Sequence, residues 1–347
     1  MYARLLLLIG LLLMPAIGQA NDGFGGLTAT GLQFQKSANI RMVSEDLFLS
    51  PSQVRVKYLF RNDGAADERG EVIFPLPPIP LAGLADSGFA LTEDSLRRDN
   101  VVDFTAMVDG KKVAVRTDRV AVREPPFDEQ RKGAAYYDAP GEEVTALLKG
   151  LGIPLSLDVA EVAAALASLP QADKDTLKAK GLADFYDGEP PVPAWSVIVR
   201  YHWSQVFPAG RDVSIEHRYN PAPPGGIFVW PAHERDYDTY QRELIRTYCI
   251  DAATRAALSK RLHRRTAGAV AGTGTAILLD YVLTTANTWQ GPIGQFRLTI
   301  DKGKPDNVLS LCIDGLRKTG PTTFVSEKKE FTPTDDLRLL IVSGLEE

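Results

Sequence analysis

The sequence predicts a mainly β protein, sandwich-like and built from two sub-domains, with a short helical insertion and a later helical segment. Three observations lead to this prediction. Residues 53–61 and 195–203 alternate between apolar and polar side chains, as half-buried strands do. The pair Asp109-Gly110 separates two short strand-like runs and is typical of a two-residue hairpin turn. Between the strand regions lies an Ala- and Leu-rich stretch with helical spacing of its apolar residues.

The first twenty residues have the order of a secretory signal peptide. Arg4 supplies a positive charge, residues 5–13 are apolar except for Gly10, and small residues lead to Ala20. The apolar run is too short for a permanent membrane span. We therefore expect cleavage after Ala20, a mature chain that does not span the membrane, and a periplasmic location.

The rest of the chain is long enough for two domains. We expect an N-terminal β domain over residues 21–139, a helical insertion over 140–190 and a C-terminal β-rich domain over 191–347. In the first domain, strands are expected at 53–61 and 71–74, with a hairpin joining 104–108 to 111–116. The insertion is expected to contain three helices, at 142–151, 156–169 and 173–180, the second one opened by Ser156.

The C-terminal region returns to strand patterns. Residues 221–226 are rich in Pro and Gly and predict an exposed turn. Two helices are expected within about 236–265, the first capped by Asp236 or Asp238 and the second by Asp251. The remaining strands are predicted at 195–203, 213–219, 275–285, 295–300, 308–313 and 337–342.

Cys249 and Cys312 are the only two cysteines of the chain. In an exported protein such a pair favours a disulfide, which by loop-closure entropy would stabilise the fold by about 4 kcal/mol. The net charge of −5 comes from well-mixed acidic and basic residues. This balance disfavours nucleic acid as a partner, because nucleic-acid binding requires a basic face.

One short segment concentrates the candidate binding residues. Residues 230–238 place two aromatic rings, an imidazole and three carboxylates just ahead of a predicted helix. They could form a polar pocket with an aromatic wall, or hold a hard cation through the carboxylates. Alternatively, the carboxylates cap the helix and the tryptophan lies in the core. The candidates are Trp230, His233, Glu234, Asp236 and Asp238, with Trp289 as a further aromatic residue.

No motif in the sequence indicates catalysis, a metal site or a cofactor. The four histidines do not have metal-ligand spacing, and the chain has no Gly-x-Ser-x-Gly segment of a serine hydrolase. We therefore assign no catalytic residue, no metal ligand and no cofactor.

Several stretches of the chain resemble the bacterial family catalogued as domain of unknown function 4424. They include Phe74-Pro75-Leu76-Pro77 and Gly291-Pro292-Ile293, together with residues 40–47, 54–62, 296–298, 331–333 and 336–337. The resemblance covers nearly the whole mature chain and implies an exported, mostly periplasmic protein, without implying a chemistry. More loosely, the first third resembles the N-terminal β-sandwich domain of inter-α-trypsin inhibitor, a protein-interaction fold.

Three classes of function remain open. The favoured one is a non-catalytic binding or scaffold protein of the cell envelope, whose partner is another envelope protein or a small ligand. The alternative is a hydrolase that acts on envelope polymers at a site near Trp230 and His233. A third is a metal-dependent adhesion or sensor domain.

Overall fold

The computed structural model describes residues 18–20, 23–28, 31–34, 36–84, 91–126, 140–223, 225–263 and 271–344, and for residues 18–34 it describes the backbone. The predicted signal peptide lies outside these ranges except for its last three residues. Among the helices of the described ranges, none combines the length and the apolar composition that crossing a bilayer requires.

Within the described ranges, 22 strands form four sheets, which confirms the predicted mainly β fold. In chain order the strands are β1 Gly18–Ala20, β2 Gly23–Thr28, β3 Gly31–Phe34, β4 Ile40–Leu49, β5 Val54–Asn62, β6 Glu68–Pro75, β7 Ile79–Pro80, β8 Thr105–Val108, β9 Lys111–Lys112, β10 Arg116–Arg123, β11 Glu142–Glu143, β12 Ala183–Asp184, β13 Val192–Pro193, β14 Ser196–Phe207, β15 Asp212–Tyr219, β16 Gly225–Pro231, β17 Ala271–Val282, β18 Ile293–Asp301, β19 Val308–Leu311, β20 Arg317–Lys318, β21 Thr323–Phe331 and β22 Leu337–Gly344.

The same ranges contain six α-helices and two short 3-10 turns. The helices are α1 Glu93–Arg97, α2 Thr145–Gly150, α3 Val159–Ala167, α4 Gln171–Ala179, α5 Thr239–Thr247 and α6 Ala252–Leu262, and the turns are Glu234–Asp236 and Thr284–Thr288.

Three of the sheets build the body of the molecule. Sheet A has the order β1-β17-β22-β19, with β16 also paired to β17. Sheet B has the order β11-β10-β14-β6-β2-β3, with β7 against β14. Sheet C has the order β20-β21-β18-β4-β5-β15-β8-β9, and β12 and β13 form a separate small sheet.

Sheets B and C each combine strands from both predicted β regions. In sheet C, β4 runs parallel to β18, while β5 pairs with β15 in the antiparallel sense. In sheet B, β6 pairs with β14 over eight residues, so the consecutive strands β5 and β6 belong to different sheets. The division into domains at residues 139 and 191 stays a prediction about independent folding.

The apolar residues that alternate along the sequence form the buried face of each strand. Val54, Val56, Tyr58 and Phe60 of β5 are fully buried, and the odd-numbered residues of β14 other than Gln205 are at most 2% exposed. The predicted hairpin is present: β8 pairs with β9, and the turn between them has positive φ angles of 47° and 75° at Asp109-Gly110. Both residue types tolerate this left-handed backbone.

One continuous core lies between these layers and is rich in aromatic rings. Phe104 stacks on Tyr201 with ring centroids 4.7 Å apart and an interplanar angle of 3°. His217 lies in the same cluster, with its ring centroid 5.0 Å from that of Phe74 and 5.1 Å from that of Phe104. Because His217 alternates with apolar residues along β15, the strand pattern directs its imidazole into this core.

Residues 140–190 contain three helices as predicted, but these begin and end at other residues than predicted. Glu142–Glu143 pairs as β11 with β10, so the first helix starts only at Thr145. The second starts at Val159 because the carboxylate of Asp158, and not the hydroxyl of Ser156, caps it by accepting from two backbone N–H groups. The third spans Gln171–Ala179, two residues earlier than predicted at its start.

A second apolar core lies between sheet A and the helices α5 and α6. It contains Phe228, Trp230, Leu244, Leu258 and Leu340 among other residues. The helices begin where predicted, with Asp238 and Asp251 as caps.

The end of α6 approaches strand β17 closely. A Cβ atom added at Gly272 would lie 2.7 Å from the backbone carbon of Leu262, so this contact requires glycine. Further along the chain, the predicted strand 275–285 ends at Val282, and the residues after it form a 3-10 turn.

The predicted disulfide joins this helical layer to the edge of sheet A. Cys249 follows α5 and Cys312 follows β19, with their Cα atoms 5.1 Å apart. A hydrogen bond of 2.8 Å from the hydroxyl of Ser310 to the carbonyl oxygen of Tyr248 joins the same two segments. The covalent bond therefore fixes the end of α5 against the short edge strand β19.

We expect the double variant Cys249→Ser, Cys312→Ser to lose about 4 kcal/mol of unfolding free energy, because the disulfide no longer restricts the unfolded chain. Urea denaturation of the oxidised protein and of the variant measures the difference. Reductant should lower the stability of the wild type to that of the variant and leave the variant unchanged. Equal stability of the two oxidised samples would contradict the expectation.

Candidate functional site

Both tryptophans of the predicted site are core residues. Trp230 has no exposed surface and packs against Tyr237 with ring centroids 5.0 Å apart. Trp289 is 1% exposed, and its ring centroid lies 4.3 Å from that of Phe60 in the main core. The two tryptophans belong to different apolar clusters, so they do not form one aromatic wall.

The polar members of the predicted site lie on the surface after β16. His233, Glu234, Asp236 and Asp238 are all exposed. Within the described part of the chain, the imidazole of His233 has no hydrogen-bond partner.

The three carboxylates of this segment have separate partners. Glu234 forms an ion pair of 3.0 Å with Arg255 of α6, and Asp236 lies 3.8 Å from Arg235. Asp238 caps α5 by accepting hydrogen bonds from two backbone N–H groups, and the amide oxygen of Gln241 accepts from the backbone N–H of Asp238. In the described ranges, no three His, Cys, Asp or Glu side chains are arranged to hold a metal ion.

Next to this segment, strand β16 forms an apolar edge of sheet A. Its only strand neighbour in the described ranges is β17. The backbone on its other side therefore pairs with no strand of the described sheet. Phe228 and Trp230 point into the second core, whereas Ile227 is 77% exposed and Val229 is 41% exposed. Among the large hydrophobic residues of the described ranges, Tyr186 is the only other one that is exposed.

Contacts from α6 and from a neighbouring strand hold this edge in place. The imidazole Nε2 of His263, at the end of α6, lies 2.9 Å from the carbonyl oxygen of Trp230 and 3.1 Å from the backbone nitrogen of Gly272. On the other side of β17, β22 pairs with it over eight residues. The edge is therefore a fixed part of the sheet.

The helical insertion lines a cavity of about 380 Å³ where it meets β10. Three of the charged groups in its wall, those of Asp99, Asp118 and Arg119, have partners within the protein. The guanidinium of Arg119 donates to the carbonyl oxygens of Leu155 and Arg98, at 3.2 and 2.8 Å, and Asp118 pairs with Arg200. The lining residues are Asp99, Thr117, Asp118, Arg119, Lys149, Ile153, Pro154 and Leu155.

A buried carboxylate in sheet B shows full hydrogen bonding. Glu71 is 4% exposed and accepts from Arg116 at 3.0 Å, from His202 Nδ1 at 2.8 Å and from the hydroxyl of Ser204. Burial acts to raise the pKa of Glu71, but the hydrogen bonds from His202 and Ser204 and the charge of Arg116 outweigh it, so the pKa is lowered. The cluster is self-contained and stabilises the pairing of β6 with β14.

A second buried carboxylate, in sheet A, lacks such partners. Asp280 of β17 is 6% exposed, and its Oδ1 atom has no hydrogen-bond partner. Burial raises the pKa of Asp280 to about 7, against the attraction of Arg338 and with the repulsion of Asp336. Burial, and then the charge of Asp280, also raise the pKa of Tyr248 at the end of α5. The protonated and ionised forms of Asp280 are therefore present in comparable amounts near pH 7.

Sequence reasoning missed the exposed edge and both buried carboxylates. The run 227–230 is apolar, but the period of so short a run cannot distinguish an edge strand from a central one. The contact of Glu71 with His202 depends on the register of two strands more than 120 residues apart. Asp280 carried a signal, since it interrupts an otherwise apolar strand pattern.

Comparison with known proteins places these features in context. The family model described as Domain of unknown function (DUF4424) matches residues 20–340. No curated protein matches the chain. Among solved structures, a "putative nutrient binding protein" of Legionella pneumophila is similar with a TM-score of 0.46 and 15% sequence identity, over 94% of this chain and 71% of that chain. The likeness of the first third to inter-α-trypsin inhibitor stays a prediction.

We expect Asp280→Asn to stabilise the protein at pH 8 by roughly 1–3 kcal/mol, because it removes a buried charge whose Oδ1 atom has no hydrogen-bond partner. The pKa of Asp280 is raised in the folded state, so its favourable contribution is complete below about pH 4 and is lost as the pH rises through about 7. Thermal denaturation at pH 5 and pH 8 measures this. A variant equally stabilised at both values would contradict the assignment.

The matched substitution Glu71→Gln should lower the stability of the protein at neutral pH. It weakens the contacts of Arg116 and His202 with a buried carboxylate, which we expect to cost about 2–3 kcal/mol. Because the pKa of Glu71 is lowered in the folded state, its contribution is present above the unfolded pKa and is lost as the pH falls through the folded one. Urea denaturation at pH 7 and pH 3 tests this, and a neutral effect at pH 7 would refute it.

Proposed function

The chain belongs to the Domain of unknown function (DUF4424) family, and from this premise we propose that it is an exported, non-catalytic protein of the cell envelope that binds another protein through the edge strand β16. The observation that carries the proposal is the exposure of Ile227 and Val229 on a strand whose outer edge has no described neighbour.

The physical reason is the cost of leaving such an edge open. The outer side of an edge strand presents backbone N–H and C=O groups that can pair with another extended chain, and soluble proteins usually protect such edges with charged residues. Residues 220–232 contain no Asp, Glu, Lys, Arg or His. A partner strand on β16 would satisfy the backbone groups and cover the two aliphatic side chains.

The segment that follows β16 suits the rim of such an interface. His233, Glu234 and Asp236 are exposed and polar, next to an apolar strip. Interfaces commonly combine an apolar centre with a polar, solvated rim. This role also accounts for the exposure of His233, which a hydrolase would be expected to hold in a cleft beside a carboxylate.

The envelope location is supported by two features of the chain. Residues 1–20 have the order of a cleavable export signal. The disulfide between Cys249 and Cys312 is of a kind that forms and persists in oxidising compartments such as the bacterial periplasm.

A photocrosslinking amino acid placed at position 227 tests the proposal in intact cells. On irradiation we expect a covalent adduct of higher mass in the periplasmic fraction, because the side chain is covered by the bound partner. The matched control is position 186, because Tyr186 is also exposed, at 61% against 77% for Ile227, but lies in the predicted helical insertion.

An adduct at 227 and none at 186 supports a protein-binding edge. Absence of an adduct at 227, or equal labelling at both positions, overturns the proposal. Recovery of the chain in the cytoplasm with Met1 retained would overturn the envelope location.

A further inference from the structure

We propose that the partner on the β16 edge is a second copy of this chain, paired antiparallel about a two-fold axis at Phe228. The proposal rests on the proposed function, since it names the protein that the same edge binds. It starts from the exposed pair Ile227 and Val229, which flank Phe228 symmetrically along the strand.

The register follows from the symmetry. When a strand pairs with its own copy about a two-fold axis at one residue, the residues before and after that position lie opposite each other. An axis at Phe228 therefore sets Ile227 of each copy opposite Val229 of the other, on the same face of the extended sheet. Each of the two exposed aliphatic side chains thereby gains a β-branched neighbour, a favourable cross-strand pair.

The charge pattern also fits self-pairing. Because residues 220–232 have no charged side chain, no like charges meet where the two strands run side by side. In this register, the charged segment 233–236 of one copy continues toward residues 220–223 of the other, which are Asn and Pro-Ala-Pro. The segment therefore does not meet its own charges across the axis.

The length of the edge limits what can pair with it. β16 spans seven residues and ends at Pro231, whose missing N–H cannot extend a ladder. A two-fold contact uses this edge completely in both copies, so the assembly closes at two chains. The helices α5 and α6 cover the opposite face of β16, the face of Phe228 and Trp230, and leave that of Ile227 open.

Sedimentation velocity on the full mature protein tests the proposal. We expect the wild type to sediment as a dimer that dissociates on dilution. Ile227→Lys should raise the dissociation constant by about tenfold or more, as expected when a charge enters the centre of an apolar interface. Tyr186→Lys, a charge at the other exposed large hydrophobic residue, should leave the dimer unchanged.

A charge pair tests the register itself. Val229→Glu alone should weaken the dimer as Ile227→Lys does. The double variant I227K/V229E should restore it at low salt, because each Lys then lies opposite a Glu of the other copy. Unchanged thermal midpoints of the variants show that the fold is retained, as expected for substitutions at exposed positions.

The sedimentation and photocrosslinking results together distinguish self-pairing from binding of a different protein. A monomeric wild type at all concentrations, or a dimer insensitive to Ile227→Lys, overturns self-pairing. In that case a photocrosslinked adduct of position 227 with a different protein still supports the proposed function. An adduct with twice the mass of the chain supports both proposals. Absence of any adduct together with a monomer overturns both.

Discussion

The C-terminal third of this protein depends on strand β17, which is buried on both faces over residues 279–282, whereas Thr273 and Thr275 in its first half are exposed. One face of sheet A contributes Leu279, Tyr281 and Leu339 to the main core, and the other contributes Ala276 and Leu340 to the core beneath α5 and α6. The backbone groups of the buried residues have no access to water and therefore need hydrogen-bond partners within the sheet. β22 pairs with β17 on one side over eight residues, and β16 pairs with residues 271–277 on the other side.

This arrangement makes β16 an edge and also gives it a fixed position. The helical layer can approach β17 only because Gly272 leaves room for Leu262, and that approach brings His263 to the end of the β16–β17 pair. The disulfide fixes the other side of the layer at β19. A mobile edge would lose conformational entropy on pairing, whereas a fixed one has already lost it on folding. A fixed edge thus meets one physical condition of the proposed association.

The sequence predicted features that depend on neighbours along the chain. Strand faces in β5 and β14, the hairpin turn at Asp109, the disulfide and the helix caps at Asp238 and Asp251 are all present. Each is specified by local spacing, by turn chemistry or by the number of cysteines. The pairing of β4 with β18 was not predictable, because alternation defines a face and not a partner.

The candidate site shows the same limit. A dense group of aromatic and acidic residues in nine positions suggests a pocket, but the strand directs Trp230 inward and leaves His233 in solvent. The carboxylate of Asp238 is fully used by the helix it caps. The same strand leaves an apolar side exposed. This could not be predicted from the sequence, because exposure depends on which strands of the fold lie beside it.

An uncharged edge strand carries a risk of aggregation, and the residues at the ends of this strand reduce that risk. Open apolar edges can pair indefinitely and form fibres when the contact is not closed by symmetry. Here the edge is only seven residues long, and Pro231 at its end lacks the N–H that would continue a ladder. The opposite edge of sheet A is β19, a strand of four residues followed by the disulfide. A sheet with one edge that can pair and one protected edge can bind a second sheet but cannot add further sheets without end. This asymmetry distinguishes an interaction surface from an aggregation site.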